Sequence, residues 1–327
     1  MKFRARQGTK LLLSAAMITA LYLWIDWPDL AGRLVRIAWV PFGVAAILNM
    51  GLVVLNACKI SMLFPKPQPA LPGLVKVNFI SVFYNTFIPG GIGGELARWA
   101  YLGRESGSGS RSMAAILLDR ITGLWTQIIM ALGAWIWISR GGVGLWISVP
   151  ATASILAVSL WAGLWGYRGS IKAMRALGTW FTRRSPDAGT DPERIAESLA
   201  ELLANRTRLA AVAGMSALYQ MLVVAVFLLL DRSVGGHLSW ENAMLILFSY
   251  TVIQLVPLSP GNLGFSEGTL ALLYHYTGAQ SAFGVMISLL MRAVIIPAAA
   301  LGWAFFLAGP RPAQHPAGKR LVPDGAE

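Results

Sequence analysis

Six long apolar runs divide this chain of 327 residues. Each is near the roughly 20 residues that an α-helix needs to cross the hydrocarbon core of a bilayer. The pattern therefore predicts an all-α polytopic membrane protein, a single transmembrane domain over 1–327 with about six full transmembrane helices. The predicted spans are 11–27, 38–64, 113–139, 144–167, 209–230 and 282–307.

Two further apolar stretches, 75–102 and 244–276, are interrupted near the middle by Pro and Gly. Neither is expected to be one continuous helix. Non-helical backbone at membrane depth is tolerated only where protein or water covers its polar groups. Each stretch is therefore predicted to be a re-entrant helical hairpin. Two complete crossings per stretch, which would give roughly eight or more crossings in all, are the alternative.

Composition and charge agree with a membrane protein and predict its orientation. Hydrophobic residues make up 56% of the chain and charged residues 13%, whereas soluble domains carry about 25% charged residues. With the amino terminus in the cytoplasm, twenty of the 27 Lys and Arg residues fall on the cytoplasmic side and four on the outer side. This bias predicts a multi-pass protein of a bacterial inner membrane with both termini in the cytoplasm.

The same charge distribution argues against nucleic acid as a partner. The net charge of +12 is carried by clusters that flank apolar spans, where they face anionic lipid. Cys58 is the only cysteine, and the three histidines lie far apart. No disulfide, metal site or cofactor is therefore predicted.

Three polar regions lie outside the spans. The basic residues before the first run would suit a cleaved signal peptide, but no small-x-small pattern follows the run, so a retained signal anchor is predicted. Segment 168–208 is predicted to be a cytoplasmic amphipathic loop. Its second part is predicted to be a helix that begins at Pro192 and leads into the next span. The tail 309–327 is predicted to be cytoplasmic and disordered.

An internal repeat carries the main functional signal. The pattern P-G-x-[IL]-G occurs twice, and a glutamate follows each copy two or three residues later. An offset of 172 residues relates Glu95 to Glu267, and the same offset relates Arg120 to Arg292, two arginines inside otherwise apolar spans. Three predicted spans lie between the hairpins, so the second hairpin is expected to enter from the opposite side, which makes the repeat inverted. The first repeat covers 75–139 and the second 244–307.

Each Pro-Gly break leaves free N–H groups and the positive end of a helix dipole, which attract anions. Arg120 and Arg292 add guanidinium groups that suit bidentate phosphate binding, with Glu95 and Glu267 as counterions or proton-exchanging groups. An anionic lipid head group is the predicted ligand. Two structural ion pairs that tie each hairpin to the following span are the alternative. The predicted substrate-binding and gating residues are Asn85, Gly90, Gly91, Gly93, Glu95, Arg98, Asp119, Arg120, Gln254, Pro260, Gly261, Asn262, Gly264, Glu267 and Arg292; no catalytic residue is predicted.

Four polar side chains near these positions carry expectations of their own. Asp119 and Arg120 are adjacent, and adjacent helical positions do not face each other, so separate partners are expected. Asn85 and Gln254 each precede a break and are expected to satisfy freed backbone groups, with a ligand role as the alternative. Lys59 is expected to extend toward the cytoplasmic surface, keeping its charged end in water.

At these residues the sequence resembles the flippase-like membrane proteins grouped with the transmembrane region of bacterial lysylphosphatidylglycerol synthases. The resemblance rests on N-x3-P-G-G-x-G-G-E-x2-R at 85–98, on the Asp-Arg pair at 119–120 and on 257–267, and it runs over 11–307. It implies a membrane domain that moves a lipid, or a lipid-linked head group, between leaflets. The synthases also carry a soluble aminoacyl-transferase module, which is not expected in this sequence, so aminoacylation is not expected of it.

The first functional hypothesis is therefore a lipid translocase that works by alternating access, with membrane lipids as its partners. An intramembrane lipid-modifying enzyme is one alternative. Because no nucleophile or metal motif is found, the chain is predicted not to be an enzyme. An accessory protein of a lipid or cell-envelope biosynthesis pathway is another alternative, with enzymes of that pathway as candidate partners. No oligomeric state is predicted.

Overall fold

The fold is helical throughout the part of the chain that the structure describes. The computed structural model describes Gly32, 36–64, 68–87, 93–139, 192–254, Asn262 and 264–309. Nine α-helices and no strand lie within these residues. In chain order they are α1 (Trp39–Met62), α2 (Leu71–Phe87), α3 (Gly93–Ser106), α4 (Gly109–Ser139), α5 (Pro192–Ala204), α6 (Arg206–Ser233), α7 (Trp240–Gln254), α8 (Phe265–Tyr276) and α9 (Ser281–Leu307).

Four of these helices, α1, α4, α6 and α9, are long and apolar enough to cross a membrane. The shortest, α1, has 24 residues, which extend about 36 Å against a hydrocarbon core of about 30 Å. The four confirm four of the six predicted spans and make the protein a multi-pass membrane protein. The other two predicted spans, 11–27 and 144–167, lie outside the described residues, as do the signal anchor, 168–191 and the tail from 310.

Both interrupted stretches form two short helices on either side of a break. Helices α2 and α3 flank 88–92, and α7 and α8 flank 255–264. These four helices have 12 to 17 residues, fewer than the roughly 20 of a complete crossing. The helices from α1 to α4 and those from α6 to α9 thus share one order: a long span, two short helices and a second long span.

The packing between helices follows the same order. Helix α1 packs along α6, α2 packs along α9, and α7 packs along α4. Helix α1 also contacts α9, as α6 contacts α4, and the second short helix of each set packs on the span that follows it, α3 on α4 and α8 on α9. Exchanging α1 to α4 for α6 to α9 therefore converts each of these contacts into another of them.

Glycine allows two of the closest approaches between helices. A Cβ atom at Gly284 of α9 would collide with the backbone of Leu270 in α8. A Cβ atom at Gly302 of α9 would collide with the carbonyl group of Phe79 in α2. Small residues at such positions let helix backbones pack closely inside a membrane.

Apolar side chains fill two main cores. One surrounds Phe227 and Tyr274 and joins α1 to the helices from α6 to α9. The other surrounds Leu74 and Leu118 and joins the helices from α1 to α6. Large apolar side chains on the outer surfaces of the spans stay exposed, Trp137 at 65% among them, which suits contact with lipid.

Helix α5 lies outside this repeated order. It begins at Pro192, as predicted, and buries one face in the second core. The prediction that this helix leads into the next span is wrong, because α5 ends at Ala204. The side chain of Asn205 instead caps a separate helix, α6, by accepting a hydrogen bond from the backbone N–H of Arg208 at 3.0 Å.

Candidate functional site

Two glutamate–arginine pairs join the short helices after the breaks to the spans that follow. In the first pair, Arg120 of α4 donates to the carboxylate of Glu95 on α3. In the second, Arg292 of α9 donates from Nε to Oε1 of Glu267 on α8 at 3.2 Å, and its Nη2 lies 3.1 Å from the same oxygen. The partners are 25 residues apart in both pairs. The two halves of the chain thus build the same contact from equivalent positions.

Several donors hold the carboxylate of Glu267. Its Oε2 accepts the backbone N–H of Gly264 at 2.7 Å, which caps the first turn of α8. Its Oε1 accepts the hydroxyl of Ser288 at 3.1 Å in addition to Arg292. Gly264 has a φ of 78°, a left-handed conformation that glycine adopts without steric cost. The Glu267 side chain is only 7% exposed, and its buried oxygens are matched by donors.

The polar residues around the second break bond to one another. Asn262 donates from Nδ2 to the side-chain oxygen of Gln254, and Gln254 donates from Nε2 to the hydroxyl of Ser266 at 2.9 Å. The carbonyl oxygen of Asn262 accepts from Arg292 at 3.5 Å. Among the described residues, Gln254 therefore bonds to side chains rather than to the backbone groups expected from the sequence. The physical reason is that Glu267 already satisfies the first turn of α8.

At the first break, Asn85 of α2 accepts the backbone N–H of Gly94 at its Oδ1, at 3.0 Å. This confirms the expectation that Asn85 satisfies a backbone group there. Ser81 of α2 donates to the carbonyl oxygen of Gly94 at 2.7 Å. A Cβ atom at Gly94 would collide with the Ser81 carbonyl oxygen and the Asn85 amide. Glycine at this position therefore lets α3 approach α2 closely enough for both hydrogen bonds.

Arg98 lies one turn after Glu95 on α3 and is 8% exposed. Its Nη1 is 3.7 Å from Oε2 of Glu95, too far for a normal hydrogen bond. Its Nε has no hydrogen-bond partner within the described ranges. The carboxylate of Glu95 thus lies between two guanidinium groups, with Arg120 at one oxygen and Arg98 near the other.

A buried ion pair lies beside this group. Lys59 of α1 and Asp119 of α4 have side chains 4% and 5% exposed, and Nζ is 2.7 Å from Oδ1. The expectation that Lys59 extends to the membrane surface is wrong, because its ammonium group instead pairs with a carboxylate inside the helix bundle. The expectation that Asp119 and Arg120 have separate partners is confirmed, since Arg120 contacts Glu95.

Tyr219 of α6 completes the group and carries no signal in the sequence beyond being a tyrosine within an apolar span. The Nζ atom of Lys59 lies 5.3 Å from the centroid of its ring, within the range of a cation–π interaction. Tyr219 also interacts electrostatically with Asp119, Arg98 and Arg120. Helices α1, α3, α4 and α6 thus each contribute a polar side chain to one place.

Two side-chain amides make equivalent bonds between spans. Asn49 of α1 donates to the carbonyl oxygen of Val294 on α9 at 3.4 Å. Gln220 of α6 donates to the carbonyl oxygen of Gly123 on α4 at 3.3 Å. Both the donors and the acceptors are 171 residues apart in sequence. The offset that relates the two Pro-Gly motifs therefore also relates contacts made by the long spans.

The structure brings the described members of the predicted site into two groups, one at each break. Asn85, Gly93, Glu95, Arg98, Asp119 and Arg120 belong to the first, and Gln254, Asn262, Gly264, Glu267 and Arg292 to the second. The remaining predicted residues, Gly90, Gly91, Pro260 and Gly261, lie outside the described residues.

Comparison with known families agrees with this arrangement. The model of the family described as "Lysylphosphatidylglycerol synthase TM region" matches residues 9–302. The chain belongs to this family. The match covers both short-helix pairs and both Glu–Arg contacts of this lysylphosphatidylglycerol synthase TM-region protein and confirms the resemblance seen in the sequence. No curated protein and no solved structure matches the chain.

Proposed function

We propose that this protein is a lipid translocase that moves an anionic phospholipid, or a lipid-linked anionic head group, between the leaflets of a bacterial inner membrane. The observation that carries the proposal is the pair of Glu–Arg contacts, each joining a short helix after a break to the following span. Ionisable residues within spans are costly in a membrane and are most often functional. Finding the same costly contact twice, at equivalent positions, favours a working site over incidental pairing.

The proposal gives the protein an inverted repeat with two re-entrant hairpins. It is supported by the exchangeable packing of α1 to α4 and α6 to α9. The equivalent bonds made by Asn49 and Gln220 support it further. In transporters with inverted repeats, interrupted helices from the two halves form the substrate site, and one half moves against the other to expose it to each side in turn.

The chemistry of the pairs suits an anionic head group. A guanidinium group presents a planar set of donors that matches a phosphate. In the resting state the glutamate neutralises the arginine, so neither charge is left alone in the low-dielectric interior. An arriving phosphate can take over that role, which couples lipid binding to the contact between each short helix and its span. The proposal needs no covalent chemistry and no cofactor.

Lipid movement in liposomes tests the proposal. Purified protein is reconstituted with head-labelled phosphatidylglycerol, and the fraction of label that a membrane-impermeant quencher reaches is followed over time. We expect native protein to accelerate movement and Glu267→Gln and Arg292→Ala to slow it about tenfold or more, since each removes a hydrogen bond to a charged group. The matched control is Arg232→Ala, because Arg232 is an exposed residue at the end of α6 that bonds to Gly236 and His237.

The results separate the alternatives. Native rates in both variants would leave the Glu–Arg contacts as structural ion pairs. An absence of movement with every lipid class tried would favour a lipid-modifying enzyme or an accessory protein of an envelope-lipid pathway.

A further inference from the structure

The two Glu–Arg contacts lie in different electrostatic surroundings. Around the first, Lys59, Arg98 and Arg120 face the carboxylates of Glu95 and Asp119. We call these five residues the cationic cluster, because it has three positive groups and two negative ones. The second contact is balanced within the described part of the chain: one glutamate, one arginine and neutral polar partners. Only the first contact therefore has an excess of positive charge in a membrane-embedded region.

Arg98 has no equivalent in the second repeat. At the offset of 172 residues, its counterpart is Leu270, which lies fully buried in an apolar core. The Arg98 guanidinium is more than nine-tenths buried, lies beyond hydrogen-bonding distance of Glu95, and has an Nε without an acceptor among the described residues. A buried guanidinium that lacks acceptors is costly unless a ligand supplies them.

The two glutamates also differ in how firmly they are held. Glu267 is fixed by Gly264, Ser288 and Arg292 and is 7% exposed. Glu95 is 22% exposed, and its Oε2 is a buried atom without a hydrogen-bond partner within the described ranges. Glu95 can therefore leave its position at a lower cost than Glu267 can.

Resting on the proposed function, we infer that the cationic cluster is the binding site for the phosphate of the transported lipid, and that Glu95 is a counterion which the phosphate displaces. The carboxylate of Glu95 lies between Arg120 and Arg98, so a phosphate in its place meets both guanidinium groups. The extra oxygens of a phosphate supply the acceptor that Arg98 lacks. Lys59 and Asp119 form a neutral pair that holds α1 against α4 beside this site. The Glu267–Arg292 contact is a fixed connection between α8 and α9 and does not bind the first phosphate.

Direct binding measurements test the inference apart from transport. Calorimetric titration of purified protein in detergent micelles uses short-chain phosphatidylglycerol, inorganic phosphate and a diacylglycerol of the same chain length. We expect phosphatidylglycerol to bind and the diacylglycerol to bind at least about tenfold more weakly, because it lacks the phosphate. If inorganic phosphate binds as tightly as phosphatidylglycerol, the cluster is a site for the free anion and the lipid assignment is overturned.

Variants sharpen the test. Arg98→Gln is expected to weaken phosphatidylglycerol binding about tenfold or more, whereas the loss in Arg292→Gln is expected to be clearly smaller. Arg111→Gln is the matched control, because Arg111 is on the same helix as Arg120 and its contact with Glu201 is exposed. Glu95→Gln removes the competing counterion and is expected to bind severalfold more tightly.

A gain in affinity cannot come from misfolding, so Glu95→Gln keeps the inference falsifiable even if Arg98→Gln folds poorly. Unchanged or weaker binding in Glu95→Gln would overturn the displacement step. Equal losses in Arg98→Gln and Arg292→Gln would overturn the choice of the first repeat. The parallel liposome assay distinguishes the two proposals: phosphate-dependent binding without lipid movement contradicts the translocase, and lipid movement with native affinity in Arg98→Gln contradicts only the binding site.

Discussion

The Lys59–Asp119 ion pair gives the sharpest prediction about stability. The two side chains are 4% and 5% exposed, and their charged atoms lie 2.7 Å apart between α1 and α4. Replacing Asp119 with Leu leaves the ammonium group of Lys59 buried without its carboxylate. Removing one member of a buried ion pair costs about 3–5 kcal/mol. The cost here is expected in the upper part of that range, because Asp119 also compensates the buried Arg98 electrostatically.

Adding Lys59→Met to Asp119→Leu removes the orphaned charge and is expected to restore stability. Pairs of buried charges replaced together by apolar residues are often neutral or stabilising. The double variant loses the cation–π contact with Tyr219, which is worth about 1–2 kcal/mol. We therefore expect the double variant to be at least about 2 kcal/mol more stable than Asp119→Leu alone.

Reversible unfolding by urea in mixed micelles, followed by circular dichroism, gives the free energy of unfolding of the native protein, both single variants and the double variant. The four values form a double-mutant cycle. Additive losses, within about 0.5 kcal/mol, would refute the reasoning, because they would mean that Lys59 and Asp119 do not stabilise each other.

Two further predictions concern packing and topology. Gly284→Val forces a side chain into the backbone of α8 and is expected to lower the free energy of unfolding by at least about 1–3 kcal/mol, whereas Gly133→Ala, in open space on α4, is expected to raise it by up to about 1 kcal/mol; a similar change in both would contradict the close contact. In a Cys58→Ser background, an impermeant maleimide is expected to label Ser108→Cys, in the turn between α3 and α4, only from the cytoplasm. It should label Gln280→Cys, between α8 and α9, only from outside, and labelling of both from one side would contradict the inverted repeat.

Much of the fold is predictable from the sequence because membrane spans are long and uniformly apolar. The run that contains α9 is apolar from end to end, and its predicted and observed ends differ by one residue. The contact between Glu267 and Arg292 was open to prediction for a similar reason: a charged residue in an apolar span needs a partner, and the repeat offset points to the glutamate.

The cationic cluster is harder to predict because its members come from distant parts of the chain. Lys59 and Asp119 are on different spans, and Tyr219 is on a third. Sequence periodicity places each residue on a helix but does not fix which helices meet, so the surface position expected for Lys59 is wrong. The close approach of α9 to α8 at Gly284 is missed for the same reason, since a glycine in a span gives no sign of which backbone it faces.

The central claim is that this protein moves anionic lipid across the membrane, and the rate of that movement is its most direct measurement. Liposomes with reconstituted native protein and head-labelled phosphatidylglycerol are compared with liposomes that carry the Arg292→Ala variant at the same protein-to-lipid ratio. The account predicts that a quencher outside the vesicles reaches label from the inner leaflet rapidly with native protein and slowly with the variant. Inner-leaflet label that stays protected in both samples, with correctly folded protein and every anionic lipid tried, would contradict it.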